Sequence, residues 1–159
     1  MADLITQNGH AMSSGNFIAL VKSTLTDGAL NGCGITSSGA NITVAAGRIV
    51  AGGALVTLEN STVTASAAGE LILRIDTSGE ATASLIARAS ATLTKQDLTV
   101  TGNVYELQLA TFGFSSGAVS GLSTKIGTAK PKTAAANLPG IYVQQAQPSS
   151  PSTGDLWFW

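Results

Sequence analysis

Apolar positions come in short bursts broken by glycine, serine and asparagine, and their spacing changes about a quarter of the way along the chain. Phe17, Leu20, Val21 and Leu25 fall at the three-to-four-residue spacing of a helix face, and Ser13, Ser14 or Asn16 is placed to cap its start. This predicts a short helix near residues 14–25. The run is brief enough that a strand is the competing reading. The pair Asp27-Gly28 ends it, because that dipeptide favours a turn with positive φ. Upstream, the first ten residues are polar, with a Gln7-Asn8-Gly9 turn signal.

From residue 35 the apolar spacing shortens to that of strands. Asn41–Ala45 reads as a strand closed by Gly47, and Arg48–Leu58 as an apolar stretch folded at Gly52-Gly53 into a bulge or tight hairpin. Val63 between threonines marks another strand. Leu71–Asp76 leads to a Thr77-Ser78-Gly79-Glu80 turn, and Ala81–Ala89 follows. Over Val104–Ala110 the alternation is clean, with Val104, Glu106, Gln108 and Ala110 on one face and Tyr105, Leu107 and Leu109 on the other. Strands about 8–12 residues apart with turns between them are the pattern of a sandwich or barrel. The fold expected is mainly β, an antiparallel β-sandwich over residues 1–112 with one short N-terminal helix.

Beyond residue 112 the chain turns to Gly113, Gly117, Gly121 and Gly127, then Lys130-Pro131-Lys132, Ala134-Ala135-Ala136 and the run 144–152, which holds Pro148 and Pro151. Proline disfavours both helix interiors and central strands. Residues 113–159 are therefore expected to form an extended arm, polyproline-like or irregular over 144–153. Its end, Leu156-Trp157-Phe158-Trp159, gathers both tryptophans of the chain. Large rings bury roughly 150–250 Å² each when enclosed, so these four are the candidate partner-docking residues. An anchor seated in a groove is favoured over a sugar-stacking platform, since a flexible arm loses too much entropy to preorganise one.

Composition narrows the function. Charged residues make up 11% of the 159 and the net charge is −1, against roughly 25% charged in ordinary soluble chains. A nucleic-acid face needs clustered Lys and Arg, so nucleic acid is not expected as a partner. Apolar content of 44% argues against disorder. No window reaches the roughly 18 apolar residues of a membrane span, and the N-terminus lacks the features of a secretory signal. With Cys33 the only cysteine and His10 the only histidine, neither an intrachain disulfide nor a Cys/His zinc site is expected, and no cofactor is implied.

Motifs for catalysis fare poorly. Gly113-Phe114-Ser115-Ser116-Gly117 fits G-x-S-x-G, but no helix start follows and no histidine lies downstream, so it reads as a loop. Gly32-Cys33-Gly34 falls short of a dinucleotide fingerprint, and Cys33 beside two glycines reads as a small buried filler. The nine acidic residues are scattered, with Asp27, Glu80 and Asp155 beside turn residues. A glycosidase pair assembled across strands is the one catalytic arrangement left open. The chain is not expected to be an enzyme.

Two stretches carry a resemblance. Ser13–Phe17 with Leu25-Thr26-Asp27-Gly28-Ala29-Leu30, followed by Ile42–Gly53, looks like the N-terminal region of bacteriophage upper baseplate and minor tail proteins. The phrase Pro148-Ser149-Ser150-Pro151-Ser152-Thr153-Gly154-Asp155-Leu156-Trp157-Phe158 is similar to one found in phage tail-fibre and baseplate chains. The resemblance implies a structural virion protein, made in the host cytoplasm and working in the tail or baseplate. It implies a homotrimer or ring that joins tail core to fibres, with other tail proteins as partners. In longer fibre proteins the Gly-Asp-Leu-Trp phrase leads onward, whereas here one residue follows Phe158, which favours a small adaptor. A carbohydrate-recognising module at the tail tip, binding host surface glycan, is the first alternative, and a hydrolase of cell-surface polymer the second.

Overall fold

The computed structural model of the chain describes residues 14–99, 101–132, 141–143 and 156–158. Outside these lie the Gln7–Gly9 turn, His10, the Ser13 cap, the 144–153 segment and Trp159. One helix, α1 (Ser14–Thr24), precedes β1 (Gly28–Gly32), β2 (Ile35–Ser38), β3 (Asn41–Val44), β4 (Gly47–Ala51), β5 (Ala54–Leu58), β6 (Ser61–Thr64), β7 (Gly69–Asp76), β8 (Thr82–Arg88), β9 (Val104–Ser115) and β10 (Ala118–Thr124). Two three-residue strands follow, β11 (Ile141–Val143) and β12 (Leu156–Phe158).

The fold is mainly β and sandwich-like. β7 and β9 form the centre of an antiparallel sheet of order β10-β9-β7-β8. Two three-stranded antiparallel sheets, β1-β4-β5 and β2-β3-β6, share one core with it. Alternation along β7 sends Leu71, Leu73 and Ile75 into that core, where they meet Leu109 and Phe112 of β9, Ile42 and Val44 of β3, and Ile49 of β4. A bulge between Leu71 and Ile72 shifts the β7–β9 register, pairing Leu71 with Ala110 but Ile72 with Gln108. That shift lets Leu109 and Ala110, successive residues, both be fully buried.

The helix forms where expected, but its buried face is different. Phe17 and Leu20 remain 41% and 48% exposed, while Ile18, Val21, Lys22 and Leu25 are among the half-buried positions. The cause is the β4–β5 turn beneath. Gly52 and Gly53 both have positive φ (59° and 88°), as a two-residue hairpin of type I′ requires. A Cβ on Gly53 would stand 2.5 Å from the Ile18 carbonyl oxygen, so the helix backbone rests directly on the turn.

The strands also run past residue 112, where the arm was expected to begin. β9 continues to Ser115 and pairs with β10 through Ser116-Gly117, another two-residue turn with φ of 52° and 75°. Residues 125–132 then strap back across the sandwich. The Lys125 and Ile126 amides donate to the Leu109 carbonyl, Ala29 to Gly127, Ala129 to Ala29, Thr26 to Lys130 and Lys132 to Thr24. Glycines 113, 117 and 121 hid the alternation of this stretch. Gly113 is there because a Cβ would sit 2.8 Å from Ser120 Oγ, and Gly121 because its φ is 55°.

Candidate functional site

Of the four residues singled out as partner-docking, Leu156, Trp157 and Phe158 form β12, and Trp159 lies outside the described residues. β12 pairs in parallel with β11, in the register Ile141–Leu156, Tyr142–Trp157 and Val143–Phe158. All six residues are apolar or aromatic. Two strands of three residues are too few to stand alone in water. Parallel pairing is moreover a buried arrangement, found almost only where both faces are covered.

Apolar surface is available on the sandwich. Besides Phe17 and Leu20 on α1, Leu55 on β5 is 43% exposed. Between β5 and the start of β8 lies an open groove of about 310 Å³, bounded by Ile18, Leu55, Val56, Ile75 and Ala83. β5 and β8 are the terminal strands of their sheets, so the groove runs between two sheet edges.

A second cleft, about 530 Å³, opens where α1 meets β9 and the strap, and it was not foreseen from the sequence. Asp27 follows the helix and Tyr105 lies on the ring-bearing face of β9. The Tyr105 hydroxyl donates to Asp27 Oδ2 at 2.5 Å, and the Gly52 amide to Oδ1 at 2.9 Å. The ring lies flat on Gly52, whose absent Cβ would be 2.7 Å from Tyr105 Cγ. Burial, and then the Asp27 carboxylate, push the phenol well above its ordinary range, so it stays protonated and serves as a donor. Lys95 Nζ sits 5.9 Å from the ring centroid. Lys22 pairs with Asp97 at 2.6 Å, and Lys132 Nζ donates to the Lys22 carbonyl in the last turn of α1. Asp27 thus ties the end of α1 to β9, Asp97 holds Lys22 of α1, and Lys132 joins the strap to the same helix turn.

Glu70 and Glu106 are the two buried carboxylates among the described residues, each about 1% exposed. Alternation puts Glu70, Ile72 and Arg74 on the face of β7 opposite the core, and Glu106 and Gln108 beside them on β9. The segment 89–95 covers that face. Arg88 donates Nε to Glu70 Oε1 and both terminal nitrogens to the two Glu106 oxygens, each at 3.1 Å. Arg74 adds a bond to Glu106 at 3.1 Å and Gln108 one to Glu70 at 2.6 Å. Backbone amides of Ala91 and Thr94 complete the set at 3.2 and 2.9 Å. Burial alone would raise both carboxyls. For Glu70 the Gln108 and Ala91 donors and Arg88 overcome it. For Glu106 the Thr94 amide, Arg88 and Arg74 do so, and both end below the ordinary carboxylate range. Glu70 and Glu106 are thus a carboxylate pair brought together across strands, and their oxygens are engaged by protein donors.

The remaining motifs resolve simply. Gly113–Gly117 is the end of β9 and the turn into β10, a strand-to-strand hairpin with no helix after it. Cys33 is buried at a positive φ of 60°, its thiol donating to the Asn31 carbonyl at 3.4 Å, and burial pushes that thiol up. Among the described residues no group of three or more His, Cys, Asp or Glu could hold a metal ion, and no helix is long and apolar enough to cross a membrane. No protein-family model matches the chain, and no curated protein matches its sequence.

Proposed function

We propose that this chain is a structural, non-catalytic virion protein of a phage tail or baseplate, an oligomeric adaptor that joins tail core to fibres. It is made in the host cytoplasm and acts within the particle, held among copies of itself and neighbouring tail proteins. The β11–β12 pair carries the reading, because six apolar residues in a two-stranded parallel sheet need a protein surface to cover them. The exposed Phe17, Leu20 and Leu55 supply apolar surface of the right kind. The two stretches that resemble baseplate and tail proteins support the virion setting. Removal of residues 154–159 tests it. The shortened chain should keep its far-ultraviolet circular dichroism but sediment as a monomer, and unchanged assembly would overturn the reading.

A carbohydrate-recognising module remains the second reading, and the cleft beside Tyr105 is the observation for it. Its 530 Å³ falls within the roughly 300–1,000 Å³ of small-molecule sites and combines an aromatic ring with lysine and carboxylate groups. Binding of host surface glycan that survives removal of residues 154–159 and is lost in Lys95→Ala would favour it over the adaptor.

A further inference from the structure

We infer that the β11–β12 pair of one copy docks on the β5 edge of a second copy, filling the groove between β5 and β8 and extending the β1-β4-β5 sheet. The inference rests on the oligomeric reading above and names the surface that reading requires. β5 ends its sheet, so one row of its backbone N–H and C=O groups faces away from β4. Proteins usually guard such edges with charge or proline. The β5 sequence Ala-Leu-Val-Thr-Leu has neither, and the facing stretch of β8, Thr82-Ala83-Ser84, has neither. An unguarded edge beside an apolar groove accepts an added strand, with main-chain bonds giving affinity and side-chain pockets giving selectivity.

The occupant follows from what the chain offers. β12 is equally free of charge and lies in a sheet of two, short of the strands it needs for independent stability. Leu55 is 43% exposed, so the groove beside it is open to an added strand. From Lys132, fixed on the α1 C-terminus, to Ile141 the chain advances nine residues, a span of up to about 30 Å. That is long enough to reach a neighbour. A copy that gives one such arm and receives another makes a head-to-tail contact, which closes into rings when the rotation permits.

The test mixes full-length Leu55→Cys with full-length Trp157→Cys and treats them with a bifunctional thiol reagent spanning about 10 Å, two strand spacings. A crosslinked dimer that forms only in the mixture, with Cys33 buried and unreacted, is the expected result. A Leu55→Glu chain should keep its fold and lose self-association at least tenfold. Oligomers that form with no Leu55–Trp157 crosslink, or that tolerate Leu55→Glu, would overturn the docking surface while leaving the oligomeric reading standing. A wild-type chain that is monomeric at all concentrations would overturn both. A Leu55→Cys, Trp157→Cys double variant that crosslinks within one chain would show that the arm covers its own groove, against the inference.

Discussion

The Tyr105 hydroxyl reaches Asp27 Oδ2 at 2.5 Å across 78 positions of sequence, tying the turn after α1 to β9, a central strand of the four-stranded sheet. The bond sits on the Gly52 turn, whose amide holds the other oxygen of the same carboxylate. Tyr105→Phe keeps the ring on Gly52 and removes only the donor, leaving a partly buried carboxylate oxygen without it. The variant should be less stable in urea by about 1–3 kcal/mol, the cost of stranding such an acceptor. The bond also has a signature at high pH. Because the folded phenol titrates above its unfolded value, its stabilisation is complete below about pH 10 and fades as pH rises through the folded value. The wild-type advantage over Tyr105→Phe should therefore shrink in strong alkali, and an advantage that is constant with pH would contradict the pairing.

Acid should act on the opposite face of the same sheet. Glu70 and Glu106 titrate below their unfolded values when folded, so their stabilisation is present above about pH 4.5 and is lost as pH falls through the folded values. Glu106→Gln removes the carboxylate that Arg88 and Arg74 share, leaving Arg88 with Glu70 and Arg74 with Asp76 as charged acceptors. Both arginines are partly exposed and keep a second partner, so the loss should be about 1–3 kcal/mol, that of a charge-assisted hydrogen bond. Denaturant midpoints measured from pH 7 to pH 3 should fall less steeply for Glu106→Gln than for the wild type, and curves that fall in parallel would assign the acid sensitivity elsewhere.

Much of the sandwich was readable because its signals are local. Gly52-Gly53 marks a bulge or tight hairpin by itself, Thr77–Glu80 a turn, and Val104–Ala110 a strand with two distinct faces. The helix, too, follows from spacing over 14–25. Which face it buries does not, because that depends on the Gly53 turn it meets, a contact 31 residues or more away in sequence. Glu70 and Glu106 looked like scattered surface carboxylates for a similar reason. The alternation put them on the face away from the core, and only the 89–95 segment, which has no periodicity, closes over that face. Tyr105 and Asp27 shared no motif at all. The glycines at 113, 117 and 121 misled in the other direction, reading as an arm where they serve a hairpin and a close strand contact.

Gly28 is the position on which the strap's course depends most directly. Its φ is 153°, and a Cβ there would lie 2.5 Å from the Ala129 nitrogen and 2.7 Å from the Gly127 carbonyl oxygen. These are backbone atoms, which cannot swing aside as a long side chain would. Gly28→Ala therefore has to lift residues 127–129 from β1, breaking the Ala29–Gly127 and Ala129–Ala29 hydrogen bonds at 2.8 Å. The sandwich core lies elsewhere, among β3, β4, β7 and β9, and should survive. The expected loss is about 1–3 kcal/mol, as for other overpacked sites. It should appear locally first, as faster trypsin cleavage after Lys125 and faster amide exchange at Ala29 and Ala129, with exchange at Leu73 and Leu109 little changed. Since the strap fixes where the arm leaves the body, the same substitution should also weaken self-association. A Gly28→Ala chain with wild-type cleavage and exchange at those sites would mean that the strap is not held by this crossing.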